Sequence, residues 1–119
     1  MAEGYESTQK TIKIDDDNKL IIANTARQSD GLPRGGRAVG PGLNVKFQTG
    51  PVEVEGGRKG AFIEDLLAIV VDRLKWYQTG QFACRENAVA LTHIQTAGFW
   101  LEERTRDRQE RGVEGTYDP

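Results

Sequence analysis

One cysteine and one histidine are all this chain offers of the side chains that most often hold metals or run chemistry near neutral pH. A single thiol, Cys84, closes no intrachain disulfide, which suits a reducing compartment. Together with His93 it falls short of the four ligands of structural zinc, and no metal or cofactor is expected. Apolar runs of signal-peptide or membrane-span length are missing, so no membrane partner is expected. Excess positive charge is missing too: a net charge of −2 and a pI of about 5.4 argue against a nucleic-acid partner. Hydrophobic residues make up only 37% of the 119. That is enough for a single domain, 1–119, with one modest core, and it favours burying further surface by homo-oligomerising.

What is present falls into two halves. Residues 1–9 are polar and acidic and read as a flexible tail. A β-rich part follows over 10–60. TIKI (11–14) and KLIIAN (19–24) flank the turn-forming Asp15, Asp16, Asp17 and Asn18, which predicts an antiparallel hairpin. The three aspartates lack the glycine and distant glutamate of a calcium loop, so they read as a solvated turn. Nine of the fourteen glycines lie within 31–60, and the segment 29–42 reads as a mobile loop carrying Arg34 and Arg37. LNVKFQ (43–48), a TGP turn and VEVE (52–55) predict a second hairpin.

From 61 to 112 the period changes to 3.6. Ile63, Leu66, Leu67, Val70, Leu74 and Tyr77 mark a first helix that stops at Gly80. The run 85–111 marks a second, with Ala88, Leu91, Ile94 and Leu101 as its stripe, widened by Ala90, Ala97 and Trp100. Gly98 lies in that stripe, and Gly112 closes the helix. Residues 113–119 form a tail. The expected fold class is α+β: a small antiparallel sheet of two hairpins, then an antiparallel helical hairpin packed on it, with one helix long enough to reach a neighbouring subunit.

An enzyme reading finds little. His93 has no carboxylate at helical spacing to orient it. Cys84 has arginine rather than a base beside it. Glu102, Glu103, Asp107 and Glu110 alternate with arginines, the pattern of a solvated, salt-laced face. A binding reading has more to use. Arg58 and Lys59 sit in a Gly-rich turn before a helix N-terminus, whose amides attract anions. Tyr77 ends the first helix near Arg85 and Asn87, while Arg104 and Arg108 lie at the far end of the second. An aromatic face, an amide and an arginine fork together recognise a nucleotide. The plainer account, with Tyr77 in the core, Asn87 as a cap and the arginines paired to glutamates, stands beside it. Asn87 and Arg104 are 17 positions apart on one helix, roughly 25 Å. A small ligand touches both only where two long helices meet antiparallel across a two-fold axis.

The stretches NTARQ (24–28), LNVKFQTGPV (43–52), DRLKWYQTGQF (72–82) and CRENAVALTHIQTAGFWLEERTRDRQERGVEGT (84–116) resemble a family of phage proteins. Its members counter Thoeris defence by sequestering the defence system's nucleotide signal, and they are the first-described type of Thoeris anti-defence protein. The resemblance covers roughly 19–116 and extends, through the helical hairpin, to phage sponges for the cyclic dinucleotides of CBASS immunity. It implies a non-catalytic sponge acting in the cytoplasm of the infected bacterial host. It also implies a hexamer built as a trimer of dimers, with glycocyclic ADP-ribose held between subunits and cyclic trinucleotides taken up by some members at separate sites. Carried over, the ligand contacts fall on Tyr77, Asn87 and Arg104. Arg58 and Arg85 are further phosphate candidates, Phe82 is a second aromatic able to take the place of Tyr77, Arg108 stands beside Arg104, and Arg27 is assigned to a second site. The loop 33–42 departs from the family in being longer. A structural or adaptor protein that only docks helices is the alternative.

Overall fold

The structure is a computed structural model that describes residues 5–13, 15–27, 29, 31–50 and 57–116, and for 5–9, 13 and 27 the backbone alone. Among the described residues there are six elements, β1 (Tyr5–Lys13), β2 (Lys19–Arg27), β3 (Pro33–Gly40), β4 (Leu43–Phe47), α1 (Ile63–Tyr77) and α2 (Arg85–Glu110). They form two compact units that divide between Ala61 and Phe62. The class is α+β, as the change of period along the chain predicts.

The sheet unit is an antiparallel meander in the order β1-β2-β3-β4. Its first turn follows the aspartates. The Asp15 carboxylate accepts hydrogen bonds from the Asp17 and Asn18 backbone N–H groups, both at 2.9 Å, and from the Asn18 side-chain amide. That is an Asx turn, and these donors, the Asn18 amide foremost, hold the Asp15 carboxyl below its usual range. Two expectations change here. Residues 5–9, expected in a flexible tail, pair with Arg27 through Ala23 as the first part of β1. The segment 29–42, expected as a mobile loop, contains β3 and the tight turn into β4, so the first hairpin continues into a four-stranded antiparallel meander. The return strand expected at 52–55 lies outside the described residues.

The glycines of β3 serve close approach. Leu20 lies over Gly40, where an added Cβ would sit 2.5 Å from its Cδ2, and at Gly36 an added Cβ would sit 2.4 Å from the Ala23 carbonyl oxygen. A bulge beside Gly36 absorbs an extra β3 residue between the Asn24 and Ala26 pairings. Gly40 then pairs with Leu43 around Pro41 and Gly42, and Gly42 takes φ 73°, the left-handed value a type II turn needs after proline.

After β4 the chain folds back on itself. Gln48, only 7% exposed, receives a hydrogen bond from the Lys59 N–H (2.6 Å) and donates to the Gly57 carbonyl (3.3 Å). Ala61 joins Phe47 in a parallel bridge, its N–H donating to the Lys46 carbonyl at 2.7 Å. Gly60 permits this pass, because a Cβ there would lie 2.6 Å from the Gln48 nitrogen and from the Phe47 carbonyl carbon. Both neighbours are backbone and have nowhere to go. Gly60→Ala is therefore expected to destabilise the protein by about 1–3 kcal/mol, seen as a lower melting temperature, whereas Gly57 and Gly80 have open space around them.

The helical unit is an antiparallel hairpin. At the start of α1 the Asp65 carboxylate accepts from the Phe62 N–H at 2.8 Å, the acidic half of a capping box. Half-buried residues on α2 recur at Asn87, Leu91, Ile94, Gly98, Leu101, Thr105 and Arg108, alternating steps of four and three. Leu67, Val71, Leu74 and Gln78 do the same on α1. This is the narrow seam of two packed helices. The stripe expected on α1 splits accordingly: Leu67 and Leu74 face the seam, while Ile63, Val70 and Tyr77, one heptad apart, are exposed. Ile69 and Trp76 repeat the outward pattern one position earlier. Among the described residues no hydrophobic side chain is buried, and Trp76, Phe82, Phe99 and Trp100 are each at least 66% exposed.

Candidate functional site

The loop end of the hairpin is organised around three side-chain clasps. Gln78 spans the connection, its Oε1 accepting from the Cys84 N–H (3.0 Å) and its Nε2 donating to the Cys84 carbonyl (3.1 Å). Cys84 caps α2, its Sγ accepting from the Asn87 N–H at 3.4 Å. The Asn87 side-chain amide donates to the Phe82 carbonyl at 3.2 Å. Local sequence explains the arrangement: Gly80 ends α1, and Thr79 caps its last carbonyls through a 2.6 Å hydroxyl bond to Trp76. Phe82 is thereby set against Tyr77, ring centroids 6.2 Å apart and planes at 82°, an edge-on contact of the preferred kind. Tyr77 also carries the Arg73 guanidinium 5.4 Å from its ring centre.

Tyr77, Phe82, Arg85 and Asn87 thus share one end of the hairpin. The Arg85 side chain makes no hydrogen bond or ion pair among the described residues. The cap of α2 is Cys84 and not Asn87, whose amide nitrogen instead holds the Phe82 carbonyl while its Oδ1 accepts nothing from described residues. Arg73 was missed from the sequence. Its spacing of four before Tyr77 puts it one turn away on the same helix face, a signal that could have found it.

Arg104 and Arg108 lie at the other end of α2, 17 and 21 residues beyond Asn87 on an unbroken 26-residue helix. They differ in how their donors are spent. Arg108, its side chain 11% exposed, donates from Nε to Glu114 (3.2 Å) and from Nη2 to the Val113 carbonyl (3.0 Å). It ties the chain down after the helix, where Val113 N–H also returns to the Arg108 carbonyl and Gly112 turns with φ 73°. Arg106 and Arg111 pair with Glu103 and Asp107. Arg104, exposed, makes no such contact among the described residues. Arg108→Ala is accordingly expected to cost about 1–3 kcal/mol of stability, read as a lower melting temperature. A shallow groove of about 260 Å³ lies beside these arginines, lined by Glu64 of α1 and by Leu101, Glu102, Thr105, Arg106 and Gln109 of α2.

The remaining candidates lie elsewhere. Arg58 belongs to the sheet unit, where its Nε donates to the Gly60 carbonyl at 3.2 Å. The Arg27 side chain lies outside the described residues.

Comparison with known proteins bears on this hairpin directly. Residues 41–106 match the family model described as Acb2/Tad1, hairpin domain. Over 74 residues, 62% of this chain, the sequence is 50% identical to a Bacillus phage SBSphiJ7 protein named Thoeris anti-defense 1. The aligned stretch is 51% of that relative, so the chain spans about half the length of the curated protein it matches. The family match takes in β4, all of α1 and α2 as far as Arg106, more than half of the chain and the clasped loop end entire. On that match, over more than half of its length, the chain belongs to the Acb2/Tad1 hairpin-domain family.

Proposed function

We propose that this protein is a sponge for a cyclic nucleotide messenger of antiviral immunity. It binds glycocyclic ADP-ribose, and by the family's pattern cyclic tri- or dinucleotides, and holds the ligand without cleaving it. Acting in the cytoplasm of the infected bacterium, it drains the signal of Thoeris-type defence and, with dinucleotides, of CBASS. The observation that carries this reading is the 50% identity to a protein named Thoeris anti-defense 1. The geometry supports it with an aromatic pair and uncommitted arginine donors at the tips of one long helix.

One subunit does not complete the site. The Asn87 end supplies aromatic and amide contacts and Arg85, and the Arg104 end supplies a further fork about 25 Å away. A two-fold dimer with antiparallel α2 helices brings one subunit's start against its partner's end and makes two equivalent pockets. Three such dimers form the hexamer. Arg58, in the sheet unit, is a separate phosphate candidate, and Arg27 serves a second class of site. The uncovered Trp76, Phe99 and Trp100, with the outward heptad of α1, are what an oligomer would bury.

Capture works by equilibrium. Depleting a messenger requires affinity below its signalling concentration, and a nanomolar Kd corresponds to about −12 kcal/mol. Several arginine–phosphate forks and a stacked base in a preformed, dry cleft reach that range. Calorimetry with glycocyclic ADP-ribose and a panel of cyclic di- and trinucleotides tests the proposal. Saturable binding is expected, followed by recovery of intact ligand when the complex is heated. Recovery of a cleaved product would make the protein a hydrolase. The absence of any binding heat would leave the helix-docking adaptor.

A further inference from the structure

Arg73 holds an unusual position among the arginines of the helical unit. Arg106, Arg108 and Arg111 spend N–H donors on Glu103, Glu114 and Asp107. The Arg73 side chain makes no hydrogen bond or ion pair among the described residues, yet it is placed: its guanidinium lies 5.4 Å from the centre of the Tyr77 ring. Attraction between a cation and a ring face spends none of the guanidinium's five N–H donors on a hydrogen bond. An arginine held this way keeps its whole fork available and has already lost much of the side-chain freedom that binding would otherwise remove. The same contact occupies one face of Tyr77. Phe82, 67% exposed and fixed through its carbonyl by Asn87, is the more open ring at this end.

We infer that Arg73 is a phosphate-binding residue of the loop-end site, with Tyr77 as the platform that aims it and Phe82 as the ring on which a base stacks. This rests on the nucleotide-binding reading above and divides its labour in a specific way. The ligand class is a nucleotide whose phosphate lies within a side chain's reach of its stacked base. Lysine cannot replace Arg73, because an ammonium neither lies flat on the ring nor offers two parallel donors.

Calorimetry of the full chain with glycocyclic ADP-ribose decides it, using Arg73→Ala, Arg73→Lys and, as a control from the sheet unit, Lys10→Ala, an exposed residue of β1. The alanine variant of Arg73 is expected to bind about ten-fold or more weakly, with the lysine variant close to it and Lys10→Ala within about two-fold of wild type. Melting temperatures report whether each variant is folded, and the lysine variant carries the decision if the alanine variant is not. Phe82→Ala is expected to lose more affinity than Tyr77→Phe, which keeps the platform. Wild-type affinity in Arg73→Ala, or full rescue by lysine, would overturn the assignment while leaving the sponge intact. Failure of the wild-type protein to bind any cyclic nucleotide would overturn the sponge, and this inference with it.

Discussion

Asn87→Ala is expected to weaken messenger binding about 100-fold, the largest loss from any single side chain at the loop end. Two effects add. The amide is a direct ligand contact in the proposed site, through the Oδ1 that no described group uses. It is also the clasp that fixes Phe82, donating to its carbonyl at 3.2 Å. A hydrogen bond of this kind contributes about 0.5–1.5 kcal/mol net, and one left unmade in a desolvated cleft costs about 1–3 kcal/mol, so together they approach the roughly 2.7 kcal/mol of a 100-fold change. Arg104→Ala removes a charged fork and is expected to lose about 10- to 100-fold. Neither residue belongs to the exposed aromatic set of Trp76, Phe99 and Trp100, so the proposed oligomer should survive, and sedimentation can show that it does. Near-wild-type isotherms from both variants would end the assignment of these residues.

Trp100→Glu, the second large effect, is expected to dissociate the oligomer. Trp100 is 70% exposed and Phe99 beside it 67%, apolar surface that the proposed oligomer would cover. Burying a tryptophan removes about 150–250 Å², worth up to about 4–6 kcal/mol at roughly 25 cal/mol per Å². In a two-fold interface each substitution is counted twice, and glutamate adds the cost of desolvating a charge. Light scattering should give the wild type a multiple of the 13.2 kDa chain mass and the variant the chain mass itself. Messenger affinity should fall with the oligomer, because the proposed pocket takes its halves from two subunits. A wild type that is monomeric at micromolar concentration would undo this prediction and the two-subunit pocket together.

These expectations depend on features that were not equally visible beforehand. The helices were legible because the 3.6-residue period, Gly80 and Gly112 are written locally, and α1 and α2 fall within a few residues of where those signals put them. The Asp15–Asn18 turn was legible for the same reason. Gly-rich β3 was not. Glycine in a loop and glycine under a crossing strand look the same in sequence, and only the close approaches of Leu20 and Ala23 tell them apart. The helix stripes were legible as apolar, but not as two sets, one in the seam and one outside.

The sequence by itself determined the class of fold, the two helices and their stops, the first turn, and the inventory of side chains available for a site. Tertiary structure alone decided how those side chains are committed. Arg104 and Arg108 are the same residue one helical turn apart; Arg108 is bound to Glu114 and Val113, and Arg104 makes no such contact. Arg73 became a candidate only when its guanidinium was found on Tyr77. The reason is physical: periodicity and turn chemistry act between near neighbours, whereas the spending of a donor or the covering of a ring depends on which distant group arrives beside it.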